Sequence, residues 1–122
     1  MGDLYLPPGW PAEVRPPADP EFVSSARNWL LDHCPPDFRG YPTLRRHPVL
    51  LARLATEQLR AAVEACRAGY RTVRADLRGV DPPVLDELLG VYEHEGRRLT
   101  AALCAAELVA AALRGERFTR PL

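Results

Sequence analysis

Apolar residues recur in alternating steps of three and four along two stretches of the chain that contain no proline. The first stretch lies between Pro48 and Pro82, and the second lies between Pro83 and Pro121. This spacing keeps apolar side chains on one face of an α-helix, which an internal proline would break. The pattern predicts two long helices, joined by the short segment 80–83 into an antiparallel hairpin.

The apolar repeat continues for about four heptads on both helices, so we expect a coiled-coil-like pair. The first of these helices is predicted to begin at Pro48 and to end at Arg78, with Gly79 just beyond its end. We place the whole hairpin at residues 48–114 and a C-terminal tail at residues 115–122. The predicted fold class is therefore all-α.

The segment before the hairpin, residues 1–47, is rich in proline and aromatic residues. Proline fixes φ and lacks an amide donor, so residues 1–20 are predicted to form an extended arm. A short helix is predicted at about residues 20–33, because its apolar residues share one face. Residues 37–47 are predicted to form an irregular connection, since they contain glycine and proline.

Both long helices carry a second apolar stripe that a two-helix hairpin would leave in water. The stripes are Leu51, Ala55, Ala62, Ala65 and Gly69 on one helix, and Val84, Leu88, Val91, Ala102 and Leu108 on the other. The N-terminal segment could wrap the hairpin, and we expect Trp10, Phe22, Trp29, Tyr70 and Tyr92 to be the packing or interaction anchors. A second copy of the chain could instead complete a four-helix core, and the two solutions can coexist.

Composition and charge narrow the classes of partner. Apolar residues make up 47% and charged residues 26% of the 122 residues, which is typical of a globular domain. The formal net charge is zero, so no global field attracts nucleic acid or anionic membranes. No apolar run is long enough to cross a bilayer, and the acidic start Met1 to Asp3 does not look like a secretory signal. We expect a cytoplasmic protein without a membrane partner.

Arginine forms the sharpest polar pattern on the first long helix. Four arginines near its C-terminal end have few acidic neighbours on their own helix: Arg67, Arg71, Arg74 and Arg78. They are candidates for binding an anion, a nucleotide or nucleic acid. The competing interpretation, which we favour, is that they form ion pairs with Asp81, Asp86 and Glu87 at the start of the next helix or at a dimer seam.

Other candidate chemistry is weak. Glu93, His94 and Glu95 are adjacent, so their side chains diverge by about 100° and cannot converge on one metal ion. Cys34 and Cys66, with a third thiol at Cys104, lack metal-ligand spacing and are expected to be free, buried thiols. We therefore predict no catalytic residue, no metal and no cofactor.

Three local sequences resemble those of small uncharacterised helical proteins of high-GC actinobacteria. They are LPPGWP at 6–11, WLLDHCPP at 29–36 and LRRHP at 44–48. The resemblance implies a helical fold and carries no catalytic or binding residue across.

These observations favour a non-enzymatic interaction or regulatory protein that forms a homodimer and binds a protein partner. The alternative is a nucleotide- or nucleic-acid-binding hairpin that uses the four arginines. An enzyme with a site around Glu93 and His94 is the third class considered, and the least favoured, because the chain lacks a convergent set of titratable residues.

Overall fold

A computed structural model of the chain describes residues 5–122. The helices are α1 (Phe22–Asp32), a 3-10 helix (Pro36–Gly40), α2 (Pro42–Arg46), α3 (Pro48–Asp76) and α4 (Pro82–Leu113). No strand occurs among these residues, and the predicted all-α class is confirmed. The acidic start Met1 to Asp3, on which part of the expected location depends, lies outside the described residues.

Helices α3 and α4 form the predicted antiparallel hairpin. They contain 29 and 32 residues, which corresponds to lengths of about 44 and 48 Å. Ion pairs and hydrogen bonds between them join Arg60 to Glu107, Tyr70 to Glu93 and Arg74 to Asp86. Sequence numbers rise along α3 as they fall along α4, so the two helices run in opposite directions.

The start and the end of α4 match the local sequence signals. Pro82 and Pro83 occupy its first turn, where a missing amide donor costs no intrahelical hydrogen bond. Gly115 follows its end with a left-handed φ of 89°. The Gly115 amide donates to the Ala112 carbonyl and the Glu116 amide donates to the Ala111 carbonyl, both at 3.0 Å. This pair of bonds is a Schellman motif, which satisfies two terminal carbonyls.

The predicted end of α3 is wrong by two residues. The helix ends at Asp76, because Leu77 leaves the helical region with φ −119° and ψ 47°. Gly79 does not take the left-handed conformation expected of a helix-ending glycine. Asp81 precedes a proline and is therefore held extended, at φ −57° and ψ 136°, so the chain must turn before it. Arg78 consequently lies in the turn.

The irregular connection predicted for residues 37–47 is also wrong. This segment contains most of the 3-10 helix Pro36–Gly40 and the whole of α2, Pro42–Arg46. Both helices begin with proline, whose fixed φ suits the first helical position. Leu44 is buried and places α2 against the hairpin.

The hydrophobic core lies where the N-terminal segment packs against the open end of the hairpin. Helix α1 contacts both α3 and α4, and α2 contacts α3. The buried face of α1 follows helical spacing and consists of Phe22, Ala26, Trp29, Leu30 and Leu31. These residues share one cluster with Leu51 of α3 and with residues 105–112 of α4. We call this part of the hairpin, residues 48–60 and 105–113, the near half.

Trp10 joins the proline-rich arm to this core. Its ring lies 6.1 Å from that of Phe22 and 5.9 Å from that of Phe118 in the tail. Its indole N–H donates to the Val14 carbonyl at 2.9 Å, so the buried polar atom is satisfied. The arm and the tail therefore pack at the same end of the molecule as α1.

The N-terminal segment covers the near half, and partly buried apolar residues between positions 99 and 103 of α4 also pack against the core. In the remaining part of the hairpin, residues 61–104, which we call the distal half, the only buried side chains of the described chain are Val63, Val73 and Leu89. The second stripes predicted on both helices split accordingly: Leu51 is fully buried, whereas Val91 is 55% exposed. A large part of the hairpin therefore lacks cover from the N-terminal segment.

Replacement of Trp29 with alanine should destabilise the fold by about 3 kcal/mol, because it removes a large side chain that is 7% exposed in the core. Chemical denaturation followed by circular dichroism measures this change. Tyr41→Ala is the control, since Tyr41 is 53% exposed and loses only its edge contact with Phe38, which should cost about 1 kcal/mol. Equal losses in both variants would contradict the packing role of α1.

Candidate interaction groove

The distal half carries an open groove on the side of the hairpin opposite α1. The groove lies between residues 63–71 of α3 and 92–104 of α4 and has a volume of about 690 Å³. Ala105 is buried in the core beside α1, whereas its neighbour Cys104 is exposed and lines the groove. Adjacent residues on a helix point about 100° apart, so the two surfaces differ.

The floor of the groove is narrow because small residues bring α3 and α4 close together. A Cβ atom added to Gly96 would lie 3.7 Å from the Cys66 sulfur. The Cys66 thiol donates to the Tyr92 carbonyl at 3.2 Å, which joins the two helices. Val63 and Ala101 complete a mainly apolar surface. The helices pack closely at the floor, and the groove is open on its solvent side.

Interhelical ion pairs flank the groove along the hairpin. Arg60 contacts Glu107 at 3.7 Å on the side of the near half, and Arg74 contacts Asp86 at 3.9 Å on the side of the turn. Arg60, Arg67 and Arg74 share one heptad position on α3. Only Arg67, the middle one, lacks a partner on α4 among residues 5–122, since it pairs with Glu64 of its own helix at 3.0 Å.

Three arginines make the groove positive. Arg67 and Arg71 line it from α3, and Arg97 lines it from α4. Neither Arg71 nor Arg97 makes a hydrogen bond or an ion pair within residues 5–122. The single glutamate among the lining residues, Glu93, already accepts a hydrogen bond from the Tyr70 hydroxyl at 3.1 Å. Three arginines and one glutamate therefore line the groove, which keeps a net positive charge.

The four arginines predicted to bind an anion lie in three different environments. Arg67 and Arg71 line the groove, Arg74 forms the expected pair with Asp86, and Arg78 lies in the turn. The sequence reasoning missed Arg97. A hairpin that turns near residue 81 places Arg97 level with Cys66 and Arg67, so pairing positions across the turn would have found it.

The two tyrosines predicted as anchors occupy different environments. Tyr70 remains 45% exposed at the groove, whereas Tyr92 is half-buried and crosses α3 at Gly69. A Cβ atom built at Gly69 would lie 2.5 Å from Cε1 of Tyr92, so no larger residue fits without movement of the ring. Glycine therefore permits the close contact between the helices at this level.

The remaining polar candidates form local contacts. Arg98 binds Glu95 through two hydrogen bonds of 2.8 and 2.9 Å, which lower the pKa of that carboxyl. Glu93 and His94 are exposed. Within residues 5–122, no three His, Cys, Asp or Glu side chains lie close enough together to hold a metal ion.

The cysteines are free, but they are less buried than expected. Cys34 and Cys66 are half-buried, and Cys104 is exposed, contrary to the prediction of buried thiols, because its helix position faces the groove. Burial raises the pKa of the Cys34 thiol, which disfavours the reactive thiolate. Burial, and then the charge of Arg98, lowers the pKa of the neighbouring His33, whose ring lies 4.5 Å from that of Trp29. The two residues lack the features of an activated nucleophile.

Comparisons of the chain with models of protein families, with curated proteins and with solved structures gave no match. Across residues 5–122, each helix is too short or too polar to span a bilayer. The case for a function therefore rests on the groove and on the uncovered surface of the distal half.

We expect Gly69→Ala and Gly90→Ala to have opposite effects on stability. Both glycines lie inside long helices, where alanine is preferred by about 0.5 to 1 kcal/mol. A Cβ atom at Gly90 meets no atom within 4 Å, so this variant should gain stability. At Gly69 the Tyr92 ring must move, and we expect a loss of about 1 kcal/mol. Urea denaturation tests both variants, and a gain in Gly69→Ala would contradict the close contact.

Proposed function

We propose that this protein is a non-enzymatic helical interaction or regulatory protein that acts through protein–protein contacts. The observation that carries the proposal is the division of the hairpin into a covered near half and an uncovered distal half. Long helices that bury one end and expose the other present binding surfaces on a stable base. The proposal includes a cytoplasmic location, which rests on the sequence alone.

One of the uncovered surfaces continues the side of the hairpin on which α1 packs. Val84 and Val91 of α4 share a heptad position with Ala105 and Ala112, which are buried in the core. The two valines are 52% and 55% exposed. Leu88 lies between them on the same side of the helix. We call Val84, Leu88 and Val91, with the small α3 residues Ala62, Ala65 and Gly69, the distal apolar face.

We propose that a second copy of the chain covers the distal apolar face and forms a homodimer. A two-fold interface places the same patch of both subunits in contact, so any net charge on that patch would oppose itself. The distal apolar face avoids this repulsion: at its end nearest to α1, Glu95 and Arg98 neutralise each other. Ala62 and Ala65 on α3 allow close approach of a helix from a second copy, which suits a four-helix core.

Binding of a nucleotide or of nucleic acid is the second candidate function. It is favoured by Arg67, Arg71 and Arg97, which line one groove. Only three arginines contribute, and the chain as a whole has no net charge, so the electrostatic attraction available for phosphates is small. Such binding would weaken steeply as salt increases, which distinguishes it from the apolar contact proposed for the homodimer.

Replacement of Val91 with glutamate should weaken dimerisation by about tenfold or more, because it places an unpaired carboxylate in an apolar interface. Sedimentation equilibrium over a range of protein concentrations measures the dimer dissociation constant. Val49→Glu is the matched control, since Val49 is 43% exposed and lies outside the distal apolar face. Circular dichroism should show the same helix content in both variants.

Two results would contradict the homodimer. One is a wild-type chain that remains monomeric at every concentration tested. The other is equal dimerisation by the wild-type chain and by Val91→Glu, which would place the interface elsewhere.

A further inference from the structure

The molecule itself shows how a helix can pack against the hairpin. Helix α1 contains 11 residues and contacts both α3 and α4 through one apolar face. Its length is about 16 Å, and the open groove extends for about 18 Å along residues 92–104 of α4. A helix of similar length therefore matches the groove on the opposite side.

The shape of the groove also favours a helix over a small molecule. Sites for small molecules usually enclose most of the ligand surface, whereas this groove is open to solvent along its length. Gly96 and Ala101 have little or no side chain, so a ligand backbone can approach α4 closely. Amphipathic helices bind such grooves with apolar residues at spacings of three and four.

The charge of the groove indicates which helix would bind. Arginines stand on both walls, with Arg67 and Arg71 on α3 and Arg97 on α4. A helix in the groove would have its apolar face on the floor and its flanking positions next to these guanidinium groups. Glutamate or aspartate at the flanking positions would form charge-assisted hydrogen bonds with them.

We propose that the open groove binds an acidic amphipathic helix of a protein partner. This inference rests on the proposed interaction function and names the partner class for one surface. A second copy of the chain fits this groove poorly, because a symmetric contact would bring the arginines of both copies together. The distal apolar face and the groove therefore take different occupants.

A selection experiment on the whole 122-residue chain tests the proposal. The probe is a displayed library of 16-residue helices with leucine fixed at one face and with Glu, Lys, Gln or Ala at each flanking position. We expect the wild-type chain to enrich helices that carry glutamate at these positions. The variant with Arg71→Glu and Arg97→Glu should instead enrich lysine, because the charge of the groove is reversed.

Arg78→Glu is the control, since it makes a single Arg→Glu change of the same kind in the turn, outside the groove. It should select the same acidic helices as the wild-type chain. In solution, a labelled selected peptide should bind the double variant about tenfold or more weakly than the wild type, and should bind Arg78→Glu within about twofold of it. Circular dichroism should show equal helix content, because all three arginines are exposed.

The exposed thiol of Cys104 reports where the peptide binds. Cys104 lines the groove and is more accessible than the other two cysteines. A bound helix should slow alkylation of Cys104 by iodoacetamide, measured by mass spectrometry of the digested protein. Unchanged alkylation of Cys104 at saturating peptide would place the binding site elsewhere and overturn the proposal.

The proposal is overturned if no helix is enriched, if enrichment is independent of charge, or if the double variant and Arg78→Glu bind equally well. Binding of single-stranded DNA that the double variant loses, without enrichment of any helix, would support the nucleic-acid candidate instead. If the selection fails while the Val91→Glu effect on dimerisation is observed, the helix in the groove is wrong and the interaction function remains. If the wild-type chain is monomeric and the selection succeeds, the homodimer proposal is wrong and the helix in the groove stands.

Discussion

The packing of α1 against the near half of the hairpin is the interaction on which the rest of the structure depends. Two helices alone bury only the stripe where they face each other, and the second stripes of α3 and α4 would stay in water. Trp29 and Leu30 of α1 remove part of this surface from solvent. Trp10 packs between the rings of α1 and of the tail at the same end of the molecule. Because α1 is only 11 residues long, the cover stops midway along helices of 29 and 32 residues.

The uncovered half has two surfaces of different chemistry. The distal apolar face lacks net charge, so the same face of a second copy can pack against it. The open groove carries arginine on both walls, so a symmetric contact between two grooves would be repulsive. Ion pairs at Arg60 and Arg74 join the two helices on either side of the groove, while Arg71 and Arg97 have no partner among residues 5–122. This difference in charge is the physical reason to assign two occupants.

The long helices could be predicted from the sequence, because the apolar repeat and the positions of Pro48 and Pro82 reflect local rules. The end of α3, the 3-10 helix and α2 could not, since they depend on how prolines restrict their neighbours within a packed turn. The extent of the cover depends on tertiary packing, which a stripe pattern does not report. For the groove, the sequence identified Arg67 and Arg71 on one helix but missed Arg97 on the other, because which faces converge on one groove depends on how the two helices are rotated in the packed pair.

Hydrogen exchange measured by mass spectrometry tests the central claim most directly, namely that the near half is stabilised by the N-terminal segment and the distal half is not. At a protein concentration low enough to dissociate a dimer, amides of residues 66–76 and 84–98 should exchange about tenfold or more faster than those of residues 51–60 and 105–112. The distal half has few buried side chains, so its helices should open without unfolding of the core. Uniform protection along both helices would contradict the account.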